Sequence, residues 1–578
     1  MRKTIPFALL FFLFQVRVFA QLSLPFFDDF ARYNNRLDAT KWLPQSSVYV
    51  NDRFSNNPVS KNIVTFNGFL ADGKINASSS QSIVEVDTLT SRPINLSNRS
   101  AADSVYLSFF LQTGGIGNNP GSNASFKVEF KTNTGVWEQA FQRSGTPTQA
   151  ALPNFTPFFV RISDPKFFHA NFQFRFRSTG RTSLVRDTWN LDYVLLNSGR
   201  QKNNALMVDD VALIQPLNSI LKRYSAMPAH QFIGHVATEL NDSLYTVLKN
   251  LSGQPRADSL LALVQVGNNA PVRFDNSIVA INPFPATYLY SATPTAAPFS
   301  SVSGAVNIKS IIVVENNEAS LATQYNDTIT RITPLQNYYA YDDGSAESVV
   351  SVQQGVTGQI AHKFTVNKAD MVEALTFYLP KVQNQKGTFV NFRIWDEVNG
   401  NPAPSPRFNY GFSVPDISRL DTFITIPVNP PVSVSSSFYV GWSSSNQYFF
   451  SVGLDRNESS RGNARFLIAG NSWQNYSNID GAIMLRPVMN NNIVGISENQ
   501  QAKPNVQVYP NPATAVVNIK GNFDAVRLLT LTGQLVLEKA GMAAETQLQT
   551  SHLKPGMYLL QVVNKNRIQT HKLIIQPN

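Results

Sequence analysis

The chain has 578 residues, 43% of them hydrophobic and only 15% charged, which excludes a disordered polymer and calls for several folded domains. It contains no cysteine, so disulfides, zinc–thiolate centres and cysteine nucleophiles are all excluded. A net charge of +10 admits an anionic partner, but the basic residues are scattered rather than clustered as a nucleic-acid groove needs, so nucleic acid is not expected.

The content of 40 Phe, 19 Tyr, 33 Pro and 30 Gly favours sheets joined by many turns, and the fold class expected is all-β, built from several sandwiches. At the front, Arg2 and Lys3 precede an apolar run from Ile5 to Phe14 and the small-residue end Val18-Phe-Ala20. This is the pattern of a secretory signal peptide, residues 1–20, cut between Ala20 and Gln21, with the Sec translocon as its partner. Gln21 stands where a lipid-modified cysteine would be needed, which excludes a lipid-anchored amino terminus. No other run approaches membrane-spanning length, so the mature chain is expected to be soluble.

Residues 21–215 read as one large sandwich. Phe126-Lys-Val-Glu-Phe-Lys and Phe172-Gln-Phe-Arg-Phe-Arg alternate with period two, burying one face and wetting the other. With the opening Asp28-Asp-Phe and the late Leu191-Asp-Tyr-Val, this segment resembles the jelly-roll modules of surface proteins and lectins. Next, Leu217, Ile220, Leu221 and Tyr224 follow Pro216 at the spacing of one face of a short helix. Strand candidates Leu244-Tyr-Thr-Val-Leu-Lys, Leu261-Ala-Leu-Val-Gln-Val and Ser310-Ile-Ile-Val-Val come next, and residues 216–335 resemble an immunoglobulin-like spacer domain. A third body, 336–496, opens with Tyr338-Tyr-Ala-Tyr-Asp-Asp-Gly-Ser-Ala-Glu347 and closes with Phe438-Tyr-Val-Gly-Trp and Val452-Gly-Leu-Asp-Arg-Asn. It resembles a second jelly-roll-type module of the kind that precedes Bacteroidetes sorting domains. Within it, Asp396-Glu-Val-Asn-Gly-Asn-Pro has the composition of a hairpin turn. A polar linker, 497–503, leads to the last segment.

Residues 504–578 contain Val506-Gln-Val-Tyr-Pro-Asn-Pro-Ala, Val516-Val-Asn-Ile, Arg527-Leu-Leu-Thr-Leu-Thr-Gly-Gln-Leu-Val, Leu553-Lys-Pro-Gly-Met-Tyr and Lys572-Leu-Ile-Ile. Each is a short apolar run punctuated by Pro, Asn or Gly, as strands between tight turns are. In order and wording they resemble the type A C-terminal sorting domain of the Bacteroidetes type IX secretion system. The resemblance implies a small immunoglobulin-like domain read by the outer-membrane secretion machinery. It also implies export to the cell surface or extracellular space, removal of the tail, and attachment to anionic lipopolysaccharide or release. The matching positions are Tyr509, Pro510, Asn511, Pro512, Gly533, Pro555, Gly556, Tyr558 and Lys572.

Chemistry elsewhere is sparse. The six histidines, His169, His230, His235, His362, His552 and His571, show no metal-ligand spacing, and no His-Glu-x-x-His or Gly-x-Ser-x-Gly exists. The glycine-rich Gly115-Ile-Gly-Asn-Asn-Pro-Gly has Pro where a dinucleotide fingerprint needs Gly. Carboxylates remain: the adjacent pairs Asp28/Asp29, Asp209/Asp210 and Asp342/Asp343. Neighbours on a strand face opposite ways and cannot flank one glycosidic bond, so turn and strand-end capping is the plain expectation. Calcium is the one cofactor admitted, with Asp342, Asp343 and Glu347 as its candidate ligands. The tryptophans Trp42, Trp137, Trp189, Trp395, Trp442 and Trp473 belong in cores unless they lie on a sandwich face, where they would stack on sugar rings. Thr88, Ser104, Ser243, Ser259 and Thr328 each follow Asp and precede a methyl-bearing residue. This resembles the O-glycosylation tripeptide of Bacteroidetes. The expectation is an exported, non-enzymatic surface protein that binds glycan or another surface component. A secreted glycosidase using paired carboxylates and a structural surface component are the alternatives.

Overall fold

The structure is a computed structural model describing residues 21–68, 82–181, 187–202, 208–316, 318, 320, 322–352, 356–380, 386–415, 422–444, 450–460, 462–468, 472–475, 480–490, 506–530, 535–564 and 567–576. The signal-peptide segment with Ala20, the 497–503 linker and Gly533 lie outside them. The chain divides into two compact units, Met1–Asn491 and Asn492–Asn578. It is all-β, apart from single helical turns.

The alternating segments do what their period dictates. Ser125–Lys131 and Phe174–Gly180 bury Phe126, Val128, Phe130, Phe174 and Phe176 and turn their charged residues outward. They form the middle of a four-stranded antiparallel sheet, flanked by Val84–Thr90 and Trp137–Ser144. Facing it is a six-stranded sheet in which Trp189–Asn197 pairs with Ile63–Phe66, Val105–Thr113 and Phe26–Asp28. Aromatic rings fill the space between, packed edge to face, as Phe26 does on Trp42 at 5.3 Å.

A second sandwich has a three-stranded sheet of Val211–Leu213, Leu244–Asn250 and Tyr288–Ala292. Its partner is a five-stranded sheet centred on Val306–Glu315. A third follows, with Phe389–Val398, Ser437–Ser444 and Gly358–Thr365 at the heart of its largest sheet. There Asn399 and Gly400 both have positive φ (53° and 78°) between the paired residues Val398 and Asn401, closing the hairpin expected from Asn-Gly.

The helix expected over 217–224 does not form. Leu217, Ile220, Leu221 and Tyr224 are all buried, but in an irregular segment whose Ser219 hydroxyl donates to the Tyr224 carbonyl (2.7 Å) and accepts from the Leu221 amide (3.1 Å). A side chain that satisfies local backbone groups competes directly with the helical ladder. Apolar spacing alone could not reveal that Leu217, Ile220, Leu221 and Tyr224 are buried without a helix, while Lys222 stays exposed. Single helical turns instead occupy Ala229–Phe232 and Val236–Glu239.

The sandwiches of the first unit share buried material. One apolar core runs from Ile220 to Met489, and a smaller one joins Phe54, Val59, Phe110 and Tyr193 to Leu251. Polar groups bridge the same junction. A register break between Asp192 and Leu195, with Tyr193 at φ 56°, aims the Tyr193 hydroxyl at Asp210 (2.6 Å). Asp192 meanwhile receives the amides of Val59 (3.0 Å) and Ser60 (2.8 Å). The fully buried Asn326 donates to both Asp29 (3.0 Å) and Asp210 (3.2 Å), and Lys249 donates to the carbonyls of Asn57 and Pro58.

The second unit is a five-stranded antiparallel sheet of Gln507–Tyr509, Val516–Leu529, Leu535–Gln549, Gly556–Asn564 and Arg567–Ile575. Val517, Ile519, Val526, Leu528, Leu560 and Leu573 form its core.

Candidate functional site

A cleft of about 670 Å³ opens where the three sandwiches of the first unit meet. Asp52, Arg53, residues 55–58 and Ile116 line one side, residues 214–218 with Tyr245 and Arg331 a second, and Asp343 with Arg456, Asn457 and Glu458 the third. A smaller cavity of about 380 Å³ shares Asp52, Arg331 and Asp343 and reaches Asp342 and Arg486.

The third wall is held by a carboxylate network. Asp455 takes the amide of Asp343 on one oxygen (2.6 Å) and those of Asn457 (2.8 Å) and Glu458 (3.2 Å) on the other. Glu347 accepts the Ser345 hydroxyl (3.0 Å) and the Arg456 amide (3.0 Å). Burial, reinforced by the Asp343 charge, pushes the Glu347 carboxyl up to about 7, and the same two causes raise Asp455. Burial works against the Arg53 charge, and Asp343, Asp52 and Glu347 outweigh it, so that guanidinium stays firmly charged. Arg331 joins two walls, donating to Glu458 (2.5 Å) and to the Leu217 carbonyl (2.8 Å), and Arg456 reaches the Ile116 carbonyl.

The structure therefore brings Asp343 to the cleft and separates it from its neighbour. Asp342 is buried under Arg486, which grips both its oxygens, with Nε at 3.1 Å. Glu347 lies behind the wall rather than on it. Among the described residues no three carboxylate or histidine groups are arranged to hold a metal ion. The other adjacent pairs split in the same way. Asp28 caps Trp42 Nε1 (2.6 Å), Asp29 and Asp210 meet at Asn326, and Asp209 pairs with Arg256 near the surface.

His362 is fully buried with neither ring nitrogen bonded, and burial lowers its pKa to about 3. Trp42, Trp189, Trp395 and Trp442 are core residues, whereas Trp137 and Trp473 are half-buried at sheet surfaces. Of the modification candidates, Thr88 lies on an outward strand position and Ser104 follows a single helical turn. The Ser243 carbonyl takes the Asn218 amide, the Ser259 hydroxyl bonds Asn276, and Thr328 opens a strand. The residues that sequence reasoning missed, Asp52, Arg53, Arg331 and Glu458, come from three separate segments, and only the folded sandwiches bring them to one cleft.

In the second unit, Asn511 fastens the Tyr-Pro-Asn-Pro turn to the last strand. Its amide donates to the Lys572 carbonyl (2.6 Å) and its oxygen accepts from the Ile574 amide (2.9 Å). The Tyr509 hydroxyl meets Glu545 (3.1 Å), and that of Tyr558 bonds the Lys554 carbonyl (3.0 Å). Pro555, Gly556 and Lys572 are exposed.

Residues 507–576 match the secretion system C-terminal sorting domain family. The protein is cargo of the type IX secretion machinery, and its destination is the cell surface or extracellular space. No curated protein sequence matches the chain. Solved structures similar to it include the CBM22-1–GH10 modules of Clostridium thermocellum xylanase 10B (14% identity, 30% of this chain and 27% of that one, TM-score 0.18). Another is the CBM22 tandem of Paenibacillus barcinonensis Xyn10C (9% identity, 81% and 99%, TM-score 0.19). Dimeric latent PorU of Porphyromonas gingivalis is a third (10% identity, 67% and 35%, TM-score 0.12). The chain thus spans only about a quarter of the xylanase, and at these TM-scores none of the three assigns it an activity.

Proposed function

We propose that this exported protein is a non-enzymatic binder of glycan at the cell surface, with the cleft between its three sandwiches as the binding site. The observation that carries the reading is the mixed lining: guanidinium, carboxylate and amide groups of Arg53, Asp52, Asn56, Asn218 and Asn457 beside the ring of Tyr245. Sugars present hydroxyls that donate and accept at once, together with an apolar ring face. Planar side chains with paired donors and acceptors, backed by an aromatic ring, complement both. Of the carboxylates that line the cleft, Asp343 accepts the Ser345 amide and hydroxyl and Glu458 accepts Arg331, which suits fixed hydrogen-bonding geometry better than proton transfer. A signal peptide at 1–20 and coupling to lipopolysaccharide after tail removal belong to the same reading.

Binding of the full chain to a glycan array, followed by calorimetry on the best neutral oligosaccharide, tests it. Arg53→Ala is expected to weaken binding at least tenfold, since a hydrogen bond to a charged group is worth about 1.5–3 kcal/mol. Binding that ignores both Arg53→Ala and Asn457→Ala overturns the assignment of the cleft. Release of reducing ends from the bound glycan overturns the non-enzymatic reading in favour of a glycosidase.

A further inference from the structure

The outward face of the four-stranded sheet in the first sandwich carries an ordered row of polar side chains outside the cleft. The register places Thr88, Arg177, Lys127 and Gln142 directly opposite one another on four successive strands, a single row across the sheet. Strands lie about 4.8 Å apart, so such a row repeats on the scale of the polar substituents along a sugar chain. Beside it, Arg175 stacks over the Trp137 ring at 4.3 Å and pairs with Glu129 (2.5 Å).

Two features of the row are unfavourable for the fold by itself. Like charges directly opposite across antiparallel strands repel, yet Arg177 faces Lys127. Lys127 forms no ion pair among the described residues, and Arg177 is held by Glu129 at 3.5 Å and by Glu85, whose side chain is 68% exposed. The Arg177 side chain is 20% exposed and Glu129 13%, so Glu85 is the solvent-side partner and the one a competing anion would displace. A sheet face with two adjacent cations, flanked by a hydroxyl and an amide and bordered by an indole under Arg175, complements a carboxylated sugar chain. The carboxylate would meet Arg177 and Lys127, and the ring hydroxyls Thr88 and Gln142.

We propose that this sheet face is a binding site for acidic polysaccharide, of the uronate class, distinct from the cleft and independent of what the cleft binds. Lys127 and Arg177 are the groups that select the negative charge. Glu85 competes with the ligand for Arg177.

The test is affinity electrophoresis and calorimetry of the full chain against polygalacturonate, with dextran as the neutral control, at low and at raised salt. Polygalacturonate is expected to bind and dextran not to bind through this face. Lys127→Glu with Arg177→Glu is expected to weaken polygalacturonate binding tenfold or more, and Glu85→Gln to tighten it. The charge-matched pair Arg273→Glu with Lys368→Glu, on exposed positions elsewhere in the same unit, is expected to change it less than about twofold. Tryptophan fluorescence and circular dichroism verify that each variant is folded. Equal losses for the two charge-reversed pairs mean that only net charge acts, and this overturns the site, as does failure of polygalacturonate to bind. Lys127→Glu with Arg177→Glu is expected to leave binding of the neutral oligosaccharide by the cleft unchanged, so the two sites stand or fall separately.

Discussion

The pair Asp342–Arg486 offers a direct measurement of how the third sandwich is held together. Asp342 has a side chain 0% exposed and Arg486 one 13% exposed, and the guanidinium also lies 4.0 Å from the Phe423 ring centre. Arg486→Met keeps most of the apolar stem but leaves a buried carboxylate with no cation. Breaking a buried pair from one side costs about 3–5 kcal/mol, and loss of the stacked cation adds about 0.5–1 kcal/mol. The companion Asp342→Asn, Arg486→Met double variant removes both charges, and its cost is expected to fall to less than half that of Arg486→Met. Urea unfolding followed by tryptophan fluorescence is the assay, because all six tryptophans lie in the Met1–Asn491 unit and the signal ignores the tail. If Arg486→Met costs less than about 1 kcal/mol, as an exposed pair would, the ion-pair reading is refuted. The same experiment with calcium or chelator added separates the two roles of Asp342. With its oxygens engaged by Arg486 and the Gly344 amide, calcium is expected to leave the midpoint unmoved.

Three further outcomes are expected. Asn326→Leu strips the amide from Asp29 and Asp210 together and should destabilise the first unit by about 2–4 kcal/mol in the same urea assay, whereas a change confined to the tail should not touch that signal. Stability should fall as pH rises from 6 to 8. Asp29, Asp327 and Glu347 are each raised by burial to about 7, so the folded state holds protons that the unfolded chain has already lost, and this stabilisation disappears as pH passes 7. His362, lowered to about 3, acts in the opposite sense but only below its unfolded value near 6.5. A thermal melting midpoint that climbs across that range contradicts the assignment. In the second unit, Asn511→Ala removes two hydrogen bonds to the last strand and should cost the tail about 1–3 kcal/mol. Measured by partition between periplasm and medium, export of the full chain should drop accordingly, and undiminished export would argue that the clamp is not what the machinery reads.

The parts legible in the sequence are those that local rules govern. Alternation in Phe126-Lys-Val-Glu-Phe-Lys fixed a strand and its buried face, Asn399-Gly400 fixed a hairpin, and the Pro/Asn/Gly punctuation after residue 504 identified the tail. Local rules failed where burial comes from distant neighbours. The apolar spacing of Leu217 to Tyr224 matched a helix, but its apolar residues are buried in an irregular segment where Ser219 bonds the Tyr224 carbonyl and the Leu221 amide. The cleft was only half legible. Asp343 was singled out by its adjacency to Asp342, whereas Arg53, Arg331 and Glu458 carry no local mark, since each is an ordinary charged residue until the sandwiches meet.

The amide of Asn326 has a consequence for how this chain can be cut and rejoined. One side chain from the second sandwich answers carboxylates contributed by residues 29 and 210, and Lys249 likewise caps carbonyls from the loop at 57–58. A recombination that exchanged the first sandwich for a foreign one would take away Asp29 and the 57–58 carbonyls and leave the Asn326 amide and the Lys249 amine buried without them. A foreign passenger meant to borrow the export route should therefore be spliced in place of the whole of residues 21–491, behind the leading twenty residues, rather than a fraction of that body.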